Sequence, residues 1–355
     1  MFLTIITFLV ILLVLVLSHE FGHFLFAKLA GVKVEEFAFG FPPRIASFRR
    51  GETRYSFNLL PLGGFVKIFG EEGEEASDPR SFSARPFGTK FVIIAAGVFF
   101  NFLLAYFLLS AGFMLGTPTA LDDADPNPSA EIKITEIQRG SPAGLAGLLP
   151  GDTLVSLNAL EAKKISEVQA FINGHKGERL KISVKRGEEV LAYEAQIRSE
   201  VKPGEGALGI AMARFGVEKL SFFPALAKGL KTAADLTMLT ARALVRFFGE
   251  LFTGRSSFET VSGPVGIVGI VGDFSRFGFL FLIQLTALLS VNLALINIIP
   301  FPGLDGGRAF FLILEKLKGS PFHWKFTRLV HAAGFIFLLL LMILVTYHDI
   351  LKLNS

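Results

Sequence analysis

The chain has 355 residues and a net charge of +4, is 51% hydrophobic and includes 39 phenylalanines, which points to a multi-pass membrane protein rather than a soluble domain. It has no cysteine, so disulfide frameworks and thiol chemistry are excluded. Its basic residues are scattered, which gives no nucleic-acid footprint and leaves anionic lipid as their natural partner.

Four runs supply the roughly 20 apolar residues that a bilayer core requires: 2–27, 91–116, 279–300 and 328–347. The first run contains His19-Glu20-Phe21-Gly22-His23. In a helix, positions i and i+4 share a face, so His19 and His23 can hold one Zn2+ while Glu20 reaches water as general base. Ionisable groups in a spanning helix cost roughly 2.5 kcal/mol or more each, so three within five residues demand a metal or a polar cavity. A cleaved signal peptide is the competing reading of this run. No basic segment precedes it, and the apolar stretch continues directly into the histidines.

Between the first two spans, Lys28, Lys33, Arg44, Arg49, Arg50 and Arg54 lie close to the membrane, with Glu71, Glu72, Glu74 and Glu75 further out. The positive-inside rule assigns this segment to the cytoplasm, which sends both termini and 117–278 outside and returns the connection after residue 300 to the cytoplasmic side. Segment 31–90 alternates short apolar runs with turn residues. Tyr55–Leu59, Pro61-Leu62-Gly63-Gly64 and Phe65–Ile68 predict a β-hairpin that dips into the membrane, rather than a plain connecting loop.

Residues 117–128 form a linker rich in Asp and Pro, after which the composition becomes that of a water-soluble α/β domain. Gly140-Ser141-Pro142-Ala143, Pro150-Gly151-Asp152, a strand 153–158, a helix near 166–173, a strand 180–185 and an Arg186-Gly187 turn follow in order. Over about 130–213 this resembles a PDZ domain of the bacterial protease type, with Ala159 where that family usually has Gly. Such domains bind extended peptides by strand addition, and Leu208-Gly209-Ile210 resembles their carboxylate loop, displaced to the C-terminal end as in circularly permuted versions; a plain strand end is the competing reading. Across 222–252, Lys228, Lys231, Asp235, Arg242, Arg246 and Glu250 fall in one sector at helical period, predicting a helix lying in the membrane interface rather than one packed on a soluble core. Gly263-Pro264-Val265-Gly266 breaks the chain before the third span.

A catalytic zinc needs a third protein ligand. Asp235 belongs to the charged face of the amphipathic helix, whereas Asp305 stands between an apolar helix and the pair Gly306-Gly307, where the chain can bend close to another helix. Asp305 is therefore the expected ligand. His331 and His348 flank the last span as packing or interface residues, Trp324 and Tyr347 read as interface anchors, and His175 and His323 carry no pattern.

HExxH in the first span, Asn-x-x-Pro-x-Pro-x-Leu-Asp-Gly-Gly at 297–307 and a PDZ-type domain between them together resemble the site-2 protease family of intramembrane metalloproteases, in its regulator of sigma-E protease subgroup. The resemblance spans essentially the whole chain. It implies that His19, His23 and Asp305 bind Zn2+, that Glu20 is the catalytic base, that Asn297 holds the substrate backbone with Asn292 in support, and that the 52–70 hairpin, with Gly63 and Gly64, clamps substrate in extended form. It implies pre-cleaved single-pass membrane proteins as substrates, such as an anti-sigma factor, a peptide or new C-terminus at the PDZ domain, and a bacterial cytoplasmic (inner) membrane. Some members carry two PDZ domains; this chain has room for one.

The expected architecture is thus a multi-pass α-helical membrane protein with four transmembrane helices, a membrane-associated β-hairpin region and one extracytoplasmic α/β PDZ domain. Its segments are 1–30, 31–90, 91–116, 126–215 (PDZ), 219–254 (amphipathic helix), 279–307 and 328–347. Two other classes fit parts of the pattern. A zinc transporter or sensor would not need Glu20 or the PDZ-type domain, and a catalytically silent scaffold would tolerate loss of a ligand, yet none is missing.

Overall fold

A computed structural model describes residues 2–71, 77–127, 129–201, 206–253 and 263–354. Glu72, Glu74 and Glu75 of the acidic patch and Pro128 of the linker lie outside the described residues. The chain divides into two compact units, one formed by 1–110, 226–271 and 284–355, the other by 111–225 and 272–283.

Among the described residues, four helices, lying wholly or mostly in the first unit, are long and apolar enough to cross a bilayer, in agreement with the four expected runs: α1 (Phe2–Leu29), α2 (Phe87–Leu115), α7 (Phe279–Ile298) and α9 (Trp324–Asn354, spanning-type over Trp324–Leu351). Each exceeds its apolar run or ends within two residues of it, because helices keep satisfying backbone groups into the interface, where polar flanks can follow. Ala27, Val32, Val34, Ile68, Phe82, Ile93, Ile94 and Leu312 form one buried cluster at the Leu29 end of α1. A second joins Ala105, Leu109, Ala287 and Val291 to Ala233 of the amphipathic helix α5 (Phe222–Phe252). Small residues allow that approach: a Cβ on Gly229 would lie 2.2 Å from Ser110 Oγ.

The β region is larger than the residues 52–70 suggest. β1 (Val34–Arg50) and β2 (Thr53–Ile68) pair antiparallel with several register breaks, and the tight turn is at Gly51-Glu52, between Arg50 and its partner Thr53. Gly51 supplies the positive φ of 61° which that turn requires. Phe37 lies opposite both Tyr55 and Val66, so residues 36–39 separate the two limbs of β2 that sequence alone would pair with each other. The far part of this hairpin exposes Ile45, Phe48, Phe57, Leu59 and Leu60, an apolar surface suited to lipid.

Two short helices have no counterpart in the expected segments. α6 (Pro264–Phe277) precedes the third span, and α8 (Asp305–Lys318) follows it directly after the Pro300–Leu304 turn.

The second unit is built on a sheet in the order β3-β9-β4-β5-β7-β8, with β6 beside β5. Its strands are β3 (Thr117–Leu121), β4 (Glu131–Ile137), β5 (Thr153–Leu157), β6 (Leu160–Glu161), β7 (Arg179–Arg186), β8 (Glu189–Gln196) and β9 (Ile210–Glu218), with helices α3 (Pro142–Ala146) and α4 (Ile165–Gly174). Ile132, Ile134, Leu148, Leu157, Val168, Leu180 and Ile182 fill the core. Ser141 caps α3 through Gly144 N–H, and Asp123 caps α4 through the Ile165 and Ser166 N–H groups. Asn158 adopts the left-handed conformation (φ 49°) in the β5–β6 turn, so Ala159 in place of Gly is accommodated. Buried Asp152 is held by Arg186 through bonds of 2.7 and 2.8 Å, and that hydrogen bonding raises the guanidinium pKa.

Candidate active site

The HExxH helix is α1, and its i, i+4 spacing sets His19 and His23 on one face, each 8% exposed, with Nε2 atoms 3.2 Å apart. Asp305 Oδ2 lies 2.9 Å from His19 Nε2 and 3.2 Å from His23 Nε2. Three ligand atoms of one tetrahedral ion, with bonds of about 2.0–2.2 Å, are separated by roughly 3.3 Å. Two imidazole nitrogens and one carboxylate oxygen at these spacings therefore fit a single Zn2+, and among the described residues they form the one such cluster. Asp235 is exposed on α5 and takes no part in it.

The third candidate ligand arrives through a compact turn. After α7 ends, Phe301 N–H donates to Ile299 O, Leu304 N–H to Phe301 O and Gly307 N–H to Leu304 O, so Asp305 opens α8. There the positive end of the helix favours a carboxylate. Gly306 and Gly307 are required by space: a Cβ on either would lie 2.1 Å from Ile298 O or 2.2 Å from Phe301 O. Helix α9 supports the same turn, with Gly303 N–H donating to His331 Nδ1 at 3.1 Å and Gly334 seated against Pro302 O. His331 is thus a packing residue, as expected.

Helix α2 forms the floor, and sequence reasoning missed its contribution. A Cβ on Gly97 would lie 2.3 Å from His23 Nε2 and 2.7 Å from His19 Cε1, so both rings rest on a glycine. One turn further along, buried Asn101 places Nδ2 3.2 Å from His19 Nδ1. His23 Nδ1–H donates to Ile93 O at 2.8 Å, which directs Nε2 toward the metal position. The sequence signal available was a lone Asn in an apolar span, four residues after a glycine.

Glu20 borders a cavity of about 280 Å3 lined also by His19, His23, Asp305, Asn297, Gly64, Phe65 and Val66. Gly64 is pressed against α1, its Cβ position 3.2 Å from Glu20 Cγ. Six of the eight expected residues are therefore together: His19, Glu20, His23, Asp305, Asn297 and Gly64. Asn292 and Gly63 lie outside the lining; Asn292 Oδ1 is buried without a partner, and Gly63 packs against the Phe41 ring.

Spanning helices that converge on a buried His-His-Asp set with an adjacent glutamate define a membrane-embedded metallohydrolase. The family model for peptidase family M50 matches residues 7–341, and the chain belongs to that family. Over 95% of both chains it is 34% identical to a Clostridium perfringens protein described as a zinc metalloprotease. It is 30% identical to zinc metalloprotease RasP of Shouchella clausii over 99% of this chain and 100% of the relative, and 28% identical to regulator of sigma-W protease RasP of Bacillus subtilis over 99% of each. A PDZ domain of an SdrC-like protein from Listeria monocytogenes aligns with 25% of this chain and 93% of its own, at 20% identity and a TM-score of 0.22. The protein is a zinc metalloprotease of the membrane.

Proposed function

We propose that this protein cuts single-pass membrane proteins within or near their transmembrane segments, after an earlier cleavage has removed most of the substrate's outer domain. The observation that carries this reading is the place of the ligands within α1. His19 and His23 lie ten and six residues before Leu29, roughly 9–15 Å from that helix end at 1.5 Å per residue. A peptide bond reaching that depth starts in a helix, with its carbonyl hydrogen-bonded and shielded, and must unwind before water can attack.

When bound, the ion acts as a Lewis acid that polarises the scissile carbonyl and makes water more acidic. His19, His23 and Asp305 hold it. Glu20 accepts a proton from the attacking water and returns one to the leaving amine nitrogen. Asn297, on the cavity wall, offers an amide to an unwound substrate backbone. Residues 64–68 of β2 run beside the same cavity, and an extended peptide laid along them would be held by strand addition. Gly64 lets this strand lie directly against α1 beside Glu20. Asn292 is a supporting residue, and Gly63 shapes the bend beside Phe41.

The basic residues of 28–54 support a cytoplasmic-side active site in a bacterial inner membrane, with the 117–218 domain extracytoplasmic. In that domain, among the described residues, 210–213 of β9 are not paired on the β3 side, and Gly209 has a φ of 76°. An open edge next to a glycine turn supports capture of a peptide or a new C-terminus. The Bacillus subtilis relative's description as a regulator of sigma-W protease supports an anti-sigma factor as the substrate class.

The test is cleavage of a tagged single-pass substrate by purified protein in detergent, comparing wild type, Glu20→Gln and chelated protein, with metal analysis alongside. About one zinc per chain, retained in Glu20→Gln while cleavage falls by at least about 10²-fold, is the expected result. Wild-type turnover by Glu20→Gln would remove Glu20 from the reaction. Metal bound without any hydrolysis would favour a transporter or sensor, and no metal at all a scaffold.

A further inference from the structure

Asn101 is fully buried inside a spanning helix, where an unsatisfied polar group costs several kcal/mol. Its backbone oxygen accepts from Ser290 Oγ at 2.7 Å, its Nδ2 faces His19 Nδ1 at 3.2 Å, and its Oδ1 is buried with no partner among the described residues. This arrangement suits the tautomer of His19 with the proton on Nε2: Nε2–H donates to Asp305 Oδ2 at 2.9 Å, and Nδ1 accepts from the amide. A metal on Nε2 requires the opposite tautomer. The imidazole stays neutral, its proton leaves Nε2 for solvent and one is taken up at Nδ1, which then needs an acceptor. With Nδ2 still facing it, two donors would confront each other in a dry interior.

A primary amide is nearly isosteric under a half turn, and the half turn exchanges donor for acceptor. We propose that Asn101 is a positioning residue for His19: on metal binding its amide turns over, Oδ1 accepts the Nδ1–H, and Nε2 is held toward the ion. The role rests on the zinc-protease reading of the site. It also divides the two ligands between two kinds of support. His23 is oriented by a fixed backbone carbonyl of Ile93, which serves only the metal-binding tautomer, whereas His19 has a side chain that serves both.

The proposal sets an order of metal affinities that packing alone would reverse. Asn101→Asp, when ionised, presents only acceptors toward Nδ1, so it favours the metal-binding tautomer. Asn101→Leu keeps the volume and loses the acceptor. Zinc affinity, measured by competition with a chromophoric chelator on the full-length protein, is expected within a few-fold of wild type or tighter for Asn101→Asp, and about 10–100-fold weaker for Asn101→Leu. The visible absorption of the Co2+-loaded protein should shift in the Leu variant and not in the Asp variant. Ser290→Ala, which removes the bond to the Asn101 backbone and leaves the amide in place, should keep wild-type affinity. If the Leu variant binds zinc as tightly as wild type, or the Asp variant binds more weakly than the Leu variant, the amide is packing and the proposal falls. If wild type itself takes up no metal in this titration, the zinc reading falls with it.

Discussion

Gly97→Ala tests the site through a single methyl group placed far from the ligands in sequence. The added Cβ would sit 2.3 Å from His23 Nε2 and 2.7 Å from His19 Cε1, against an ordinary contact distance of about 3.4 Å. His23 Nε2 must therefore retreat by about 1 Å, several times the roughly 0.2 Å within which a metal bond length must fall. Separating the helices gives no easy relief. Helices α1 and α2 are in backbone contact where a Cβ on Gly22 would lie 2.4 Å from Ala96 O, and moving them apart stretches the 2.8 Å bond from His23 Nδ1 to Ile93 O. The expected loss of zinc affinity is at least about 100-fold, or about 2.7 kcal/mol, with cleavage lost in parallel. Gly88→Ala is the control: it lies in the same helix with nothing within 4 Å of its Cβ position, and should leave metal and activity unchanged. The assay is chelator competition and cleavage on matched preparations. A Gly97→Ala protein that holds one zinc at wild-type affinity would refute the close approach of α2 to the two rings.

The remaining predictions address the other supports. Gly306→Ala would place a Cβ 2.1 Å from Ile298 O and displace Asp305, so metal content after dialysis should fall; full occupancy would show that the turn yields elsewhere. Arg186→Met leaves the Asp152 carboxylate buried without its cation and, since the arginine is partly exposed, should cost the 117–218 domain about 2–3 kcal/mol in urea unfolding, with zinc content unchanged. Removing residues 126–215 should widen the range of substrates cut while hydrolysis persists; loss of all hydrolysis with zinc retained would contradict a filtering role.

Much of the site is legible because its signals are local. HExxH needs only helical spacing, and Asp305 stands out as an acid between an apolar run and two glycines. What sequence could not show arises from packing between distant segments. Gly97 and Asn101 act on His19 and His23 across some 70–80 residues, and neither residue type announces a ligand. Helix α8 has two glycines in its first turn, poor helix formers by intrinsic propensity, and is held by the contacts of Gly306 and Gly307 with the preceding turn. The hairpin limbs 54–57 and 64–67 look like partners in sequence because they are adjacent and apolar, yet residues 36–39 lie between them. Asn292 and Asn297 look equivalent within one apolar helix, and only Asn297 faces the cavity.

The glycines explain how a polar cluster is assembled inside a membrane. Lipid tails are as apolar as leucine, so no hydrophobic force drives one spanning helix onto another, and close packing of small residues must supply the attraction. Here that packing and the ligand geometry use the same positions: Gly22 against Ala96, Gly97 beneath both imidazoles, and Gly334 against the Pro302 carbonyl. The contacts that hold the helices together therefore also aim His19, His23 and Asp305 at one point. It follows that the ligand set is preorganised by helix packing, with Asp305 Oδ2 within 3.2 Å of both Nε2 atoms. A substitution that loosens one helix contact should reduce metal affinity before it reduces the amount of folded protein.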